Sequence, residues 1–323
     1  MINLCELAKL LNAQKSVAIF CHVRPDGDAV GSACALKNAF LSKGVKAQVF
    51  CDDVIPKRFD YMQVEKEFSS ADLQKDYVNK EFTALIAVDS ADIQRLGKYA
   101  EIFEWHKNTF NIDHHISNTR YAKVNYVCDN PANAINIFDL INEMGAQIDV
   151  KTANLIAMGL LTDTGTFTHK DVGANALSVG SKLVELGADL NTIYYHNFKK
   201  QTKHRAKLFG LVMQGLRYFN DDRLVVAIIT QNHLDLSGAH PSETEGFVDF
   251  LLGIDCIEVC ATVMEIGENK YKISLRSKGT NVNAVAGAFG GGGHVLASGC
   301  QINGEIEEVL DRLSFAVSRE LID

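Results

Sequence analysis

No stretch of this 323-residue sequence approaches the ~18 consecutive apolar residues a membrane-spanning helix needs, so no membrane partner is expected. A secretory leader is not expected either. Residues 1–11 carry Glu6 and Lys9 inside their apolar pattern, with no small-residue cleavage site behind a long apolar core. Both absences point to a cytoplasmic protein. The eight cysteines lack the paired spacing of a zinc site. Cys256 and Cys260 stand four apart in a β-branched run with no second pair, and read, like most of the others, as small core hydrophobes. An excess of positive charge is also missing. With 32 Lys+Arg against 40 Asp+Glu the formal net charge is −8, which argues against a protein that coats long nucleic acid through many phosphate contacts. A small anion held by metals and a few local cations remains compatible. Internal repeats are absent, and four consecutive glycines are the sole low-complexity segment.

What is present is the composition of an ordinary globular protein, 47% hydrophobic and 22% charged, with length for two domains. The stretch 16–32, S-V-A-I-F-C-H-V-R-P-D-G-D-A-V-G-S, organises the rest. An apolar strand over 17–20 ends in His22, Asp26 and Asp28, and a small-residue helix runs from Ala29 to residue 43 and closes on Gly44. In an open parallel sheet, the turn after a strand is where ligands bind. Residues 46–50 read as a second strand. A buried strand over 83–88 stops on Asp89, and another over 108–112 stops on Asp113, His114 and His115. Helices are expected over 132–143, 152–161 and 174–187; the second runs into T-D-T-G-T-F and places Asp163 at an element end. This alternation predicts an α/β domain, a mostly parallel sheet covered by helices.

Residues 192–209 are rich in Lys, Arg and His and read as a helical linker, with a cationic wall facing a substrate as the second reading. Beyond them, strands at 224–230, 257–265 and 272–275, with helices at 243–252 and from 305 and the segment 281–289 leading into the glycine run, describe a smaller α+β domain. The expected division is 1–191, 192–209 and 210–323.

Taken singly, D-G-D could be a polar turn, D-H-H a capped loop and Asp163 a turn residue. Together, at the ends of successive strands, His22, Asp26, Asp28, Asp89, Asp113, His114, His115 and Asp163 read as one site. Imidazole with carboxylate suits divalent ions such as Mn²⁺. If Asp26, Asp28, Asp89 and Asp163 all bind, their charge of about −4 balances two such ions, and one ion would leave a costly excess in a dry pocket. Two metals lower the pKa of a bound water and clamp a phosphoryl group. Asp89, on a central strand, is the expected bridge. In the second domain, Gly290 to Gly293 open backbone N–H groups to an anion beside His294 and Ser298, and Arg276 carries a fork suited to phosphate.

These motifs, H-V-R-P-D-G-D-A-V-G-S, V-D-S-A-D, D-H-H and T-D-T-G-T-F in this order, resemble the DHH phosphoesterase family. S-L-R-S at 274–277 and G-G-G-G-H-V-L-A-S-G at 290–299 are similar to the DHH-associated C-terminal domain, and the two bare domains to the nanoRNase/pAp phosphatase subgroup. The resemblance implies that His22, Asp26 and Asp89 hold one metal and Asp28, Asp89, His114 and Asp163 the other. It implies two divalent ions, Mn²⁺ first, with Mg²⁺ and Co²⁺ as alternatives. Asp113 then orients its neighbours, and His115 contacts the scissile phosphate. Arg276, Ser277, Gly291, Gly292, Gly293, His294 and Ser298 grip the substrate, in a cleft between the domains. The implied reaction is hydrolysis of very short single-stranded RNA to mononucleotides and of 3′-phosphoadenosine 5′-phosphate (pAp), by two-metal activation of water. Hydrolysis of pyrophosphate, polyphosphate or linear dinucleotides is the enzymatic alternative, and a non-catalytic nucleotide-binding regulator the alternative of another class. A homodimer is left open. One departure stands out: residues 131–136, P-A-N-A-I-N, replace the hydroxyl-rich turn usual in relatives.

Overall fold

The computed structural model describes residues 2–321, and the chain divides after Lys200 into two compact units. The first contains α1 (Leu4–Asn12), β1 (Ser16–Phe20), α2 (Gly27–Ser42), β2 (Lys46–Phe50), α3 (Lys75–Glu81) and β3 (Ala84–Val88). It continues through α4 (Ala100–Trp105), β4 (Thr109–Asp113), β5 (Val124–Val127), α5 (Asn133–Glu143), α6 (Val150–Asp163), α7 (Ala174–Glu185) and α8 (Leu190–Tyr194). All five strands pair in parallel, in the order β2-β1-β3-β4-β5. β3 is apolar and buried along its whole length, as expected of a parallel strand covered on both faces. One face packs on α1, α2, α5 and α6, the other on α3, α4 and Leu96 and Tyr99. Chain direction across the sheet reverses between β1 and β3, the switch point where a crevice opens at the carboxyl ends.

α2 starts at Gly27, two residues before the expected start. Asp26 is its N-cap and accepts from the backbone N–H of Asp28 (3.1 Å) and Ala29 (3.0 Å), so the D-G-D turn is the first turn of the helix. Small residues let α2 and α6 approach closely. A Cβ on Gly27 would lie 2.5 Å from Thr162 Oγ1, one on Gly31 would collide with the Leu155 carbonyl, and one on Gly159 would lie 2.6 Å from Asp28 Oδ1. That contact brings the start of α2 against the end of α6.

The second unit contains α9 (Lys203–Met213), β6 (Arg217–Phe219), β7 (Leu224–Ile229), α10 (Gln231–Ser237), α11 (Phe247–Leu252), β8 (Val259–Gly267) and β9 (Lys270–Ser277). α12 (Val282–Gly287), β10 (Gly292–His294), β11 (Ala297–Asn303) and α13 (Ile306–Ser318) complete it. Its mixed sheet runs β10-β11-β9-β8-β7-β6, with α12 and α13 on one face and α9, α10 and α11 on the other.

Several sequence expectations shift. The 192–209 stretch is broken at 200–202, where Thr202 caps α9. Two of its cations are engaged locally: Arg205 donates to the Glu243 carbonyl, and Lys207 Nζ lies 2.5 Å from the Leu236 carbonyl. The helix expected over 243–252 is split by Gly246 at φ 80°. Half of the glycine run is strand β10, and the half-buried β5, at four residues, is too short to announce itself. Cys256 is exposed, while Cys260 is buried as expected. Among the described residues, no helix is long and apolar enough to cross a membrane.

Because the α2–α6 contact has no room for a methyl group, Gly31→Ala is expected to lose about 1–3 kcal/mol of stability in denaturant unfolding. An unchanged midpoint would show that the helices separate at no cost.

Candidate metal centre

Asp89 follows β3 directly, is 2% exposed and sits at φ +53°, a strained conformation for a residue with a Cβ. Its two carboxylate oxygens face different partners. Oδ2 lies 3.6 Å from His22 Nε2, which is also 3.6 Å from Asp26 Oδ2. Oδ1 lies 3.3 Å from His114 Nε2, which is 3.4 Å from Asp163 Oδ2. Two sets of potential ligands result, His22 with Asp26 and Asp89, and Asp28 with His114 and Asp163; within each set the ligand atoms lie within 4.8 Å of one another. Asp113 and His115 join Asp89 and His114 in an overlapping third group.

The donors fit a divalent cation. Asp89 Oδ1 and His114 Nε2 are buried without a hydrogen-bond partner, a combination native interiors avoid unless an ion or water serves them. His114 Nδ1 lies 2.8 Å from the Asn130 carbonyl, which can only accept, so the proton sits on Nδ1 and Nε2 presents its lone pair. His22 Nδ1 lies 2.8 Å from the Val23 carbonyl, which favours the same tautomer. Arg95 Nη2 is 2.8 Å from that same nitrogen, and an arginine donor there serves the opposite tautomer, which would block a metal.

Titration behaviour reflects the crowding of negative charge. Burial works to lower the His22 and His114 pKa values, but Asp26 and Asp89 beside His22, and Asp89 and Asp28 beside His114, outweigh it and carry both to about 10. Burial, with the charges of Asp89 and Asp26, pushes Asp163 up to about 7. Burial and the charges of Asp89 and Asp163 also hold Asp28 well above its ordinary range. Asp26 goes the other way, to about 2, because the hydrogen bonds from His22 and the Ala29 N–H overcome its burial.

Asp28, fully buried, accepts from Asn133 N (2.5 Å), Ala134 N (2.8 Å) and Ser32 Oγ (3.0 Å). A carboxylate has about four lone-pair sites, so one remains for a cation. The unusual 131–136 turn thus has a task of its own, since its backbone N–H groups at the start of α5 hold Asp28. Asp113, also buried, lies 2.8 Å from His115 Nδ1 and accepts from Asn118 Nδ2 at 2.5 Å. The hydrogen bond to Asp113, with the charge of that carboxylate, outweighs burial and raises the His115 pKa. Asn118 and Asn136, which donates to the Asp113 carbonyl at 3.1 Å, were not legible as site residues. Neither falls in a motif; only asparagine clustering between 111 and 136 marks the network.

In the second unit, Ala297 pairs with Arg276 on one side and His294 on the other, so Arg276 and His294 sit at matched positions on β9 and β10. Arg276 Nε lies 3.0 Å from Asp249 Oδ1, and its side chain lines a cavity of about 510 Å³ with Lys272, Ser274 and Thr262. The hydroxyls of Ser277 and Ser298 donate to the carbonyls of Thr280 and Val282, each at 2.5 Å. Gly291 and Gly293 permit the close approach of β10 to β11: a Cβ on Gly291 would strike the Gly299 carbonyl, and one on Gly293 would lie 2.6 Å from that of Ala297. Gly292, with only Asn283 Oδ1 nearby at 3.7 Å, has no such constraint.

Parallel sheet, acidic switch point and paired ligand sets define a DHH-type protein. Residues 16–160 match the DHH family N-terminal domain and residues 221–321 the DHHA1 domain, so the chain carries a DHH domain followed by a DHHA1 domain. It is 29% identical over 98% of its length to the bifunctional oligoribonuclease and PAP phosphatase NrnA of Thermus thermophilus, covering 93% of that protein. The Bacillus subtilis protein of the same name is 24% identical over 92% of each chain. A crystal structure of an exopolyphosphatase-related protein from Bacteroides fragilis matches with a TM-score of 0.82 at 25% identity, covering 98% of this chain and 95% of that one.

The ligand set predicts how metal and protons compete. Without metal, the raised His22 and His114 contribute stability that is complete below about pH 6.5 and lost as pH rises through about 10. Asp163, raised to about 7, erodes stability as pH climbs from 3.8 to that value. Metal-free protein should therefore lose melting temperature between roughly pH 6 and 9, whereas metal, which displaces these protons, binds more tightly there. The melting-temperature gap between Mn²⁺-saturated and metal-free protein should widen with pH, and a gap that narrows would contradict the assignment.

Proposed function

We propose that this protein is a metal-dependent phosphoesterase that hydrolyses very short oligoribonucleotides to mononucleotides and removes the 3′-phosphate of pAp. The observation that carries this reading is the division of the Asp89 carboxylate between two His/Asp sets. The names of the relatives supply the substrate class. His22, Asp26 and Asp89 would hold one ion and Asp28, Asp89, His114 and Asp163 the other, with Mn²⁺ the preferred metal. Such ions, when bound, supply Lewis acidity and a water of lowered pKa.

The remaining work falls to the chain's own groups. Asp113 holds the His115 ring through Nδ1, with Asn118 fixing Asp113 in turn, so that His115 Nε2 donates to a phosphoryl oxygen in the transition state. The raised pKa keeps more of this imidazole charged near neutrality, which suits an anionic partner. In the second unit Arg276 and His294 grip the substrate's terminal phosphate and nucleotide, helped by the unobstructed backbone at Gly292, which Gly291 and Gly293 position against β11. Ser277 and Ser298 hold the backbone around them, and each oxygen keeps acceptor capacity for the ligand.

Incubation with Mn²⁺ and pAp, a dinucleotide, a five-mer RNA or pyrophosphate, followed by chromatography, tests the proposal. Mononucleotides should form from both RNAs and adenosine 5′-monophosphate from pAp; turnover of pyrophosphate alone would overturn it. Asp89→Asn should reduce hydrolysis at least ~100-fold with the fold intact by circular dichroism. His294→Ala should raise KM about tenfold and leave calorimetric Mn²⁺ affinity unchanged, and an equal loss of both would remove His294 from the substrate-binding role.

A further inference from the structure

β1 and β2 run in parallel register as far as Phe20 and Phe50, and the ladder continues one step, with Cys21 N donating to the Phe50 carbonyl at 3.3 Å. The next residues on the two strands, Cys21 and Cys51, are therefore side by side. Parallel strands in register point matched side chains to the same face, here the α2 face, where both cysteines pack. Both thiols lie against carbonyls at the strand ends: Cys21 Sγ reaches the Phe50 carbonyl at 3.9 Å, and Cys51 Sγ reaches the His22 carbonyl at 3.5 Å. Neighbouring strands lie about 4.7–4.9 Å apart, inside the Cα range of about 4.4–6.8 Å that a disulfide spans.

We propose that Cys21 and Cys51 form a hydroperoxide-sensitive dithiol whose disulfide weakens the metal group at His22. Access assigns the roles. Cys21 is 1% exposed, whereas Cys51 is half-buried and is the sulfur a small oxidant reaches first. The Cys51 sulfur attacks one oxygen of hydrogen peroxide and the O–O bond breaks. Cys51 becomes a sulfenic acid, and the departing hydroxide takes the thiol proton as water. The Cys21 sulfur then displaces hydroxide from that sulfenic acid, and its own proton leaves as a second water. Two thiols lose two electrons to one peroxide, which becomes two waters. An S–S bond is about 2.0 Å long and leaves no S–H on either cysteine, so closing it moves both sulfurs off their carbonyl contacts. His22 follows Cys21 directly, and its carbonyl already receives the Cys51 thiol, so this movement reaches the His22 backbone first.

The disulfide is independent of the proposed reaction; its effect rests on the metal centre and is read as affinity, not as hydrolysis. The experiment oxidises the full chain with hydrogen peroxide, removes the excess with catalase, alkylates free thiols and maps cysteines by peptide mass spectrometry. Mn²⁺ affinity is measured by calorimetry before and after oxidation, and again after dithiothreitol. The expected result is a Cys21–Cys51 cross-link, an affinity about tenfold weaker and recovery on reduction. Cys51→Ser should abolish both changes, Cys51→Ala serves should the serine variant fail to fold, and Cys34→Ser should retain both. A bond from Cys51 to Cys34, over-oxidation of Cys51 with Cys21 still free, or a Cys21–Cys51 bond that leaves affinity unchanged would each overturn the proposal.

Discussion

The structure of the first unit depends on one electrostatic problem: several carboxylates must be held around Asp89 at the switch point of a buried sheet. Burial disfavours ionisation here, and like charges this close add to the penalty, as the raised pKa values of Asp28 and Asp163 record. Protons can relieve the repulsion, and so can divalent cations. The unpartnered Asp89 Oδ1 and His114 Nε2 favour the second solution, because neither atom has a protein neighbour that completes it. The strained φ of Asp89 belongs to the same problem. It places a bulky acid at the end of β3, where the chain turns, and the neighbouring strands keep it there.

Holding the carboxylates requires a scaffold with little freedom. Gly27, Gly31 and Gly159 bring α2 and α6 close enough for Asp28 and Asp163, which lie on different helices, to share one cation. The N-terminus of α5 supplies two N–H groups to Asp28, a placement that a helix dipole reinforces. Asn118, Asn130 and Asn136 then fix the D-H-H segment through side-chain and carbonyl contacts. Each device uses a small or amide residue, so the site has few additional charges of its own to balance.

These devices also explain what the sequence revealed and what it hid. The strand ends carrying His22, Asp89, Asp113 and His114 were legible, because a buried parallel strand is a continuous apolar run and an acid or imidazole at its end breaks that pattern visibly. The order of the strands was not, since register and crossover are decided by packing between distant segments. The role of residues 131–136 escaped for a related reason: backbone N–H groups leave no trace in side-chain identity. The glycine run was ambiguous in a different way. An open anion nest and a close β-hairpin both demand missing Cβ atoms, and the structure uses Gly291 and Gly293 for the hairpin, with Gly292 free of that constraint.

The net charge of −8 then bears on how the two units divide recognition. A long polyanion would meet repulsion over most of this surface, and the cations near its middle, Arg205 and Lys207, are occupied by carbonyls within the second unit. Attraction for a phosphate must be concentrated, not spread. Two divalent ions at Asp89 would provide one focus, and Arg276 with Lys272, which line one cavity of the second unit, would provide another. Arg276 is itself restrained by Asp249, so a phosphate that takes its guanidinium competes with a carboxylate, and a monoanionic or weakly charged ligand gains little. Selection of this kind favours ligands carrying few phosphates with a terminal one, which is the character of very short oligonucleotides and of pAp.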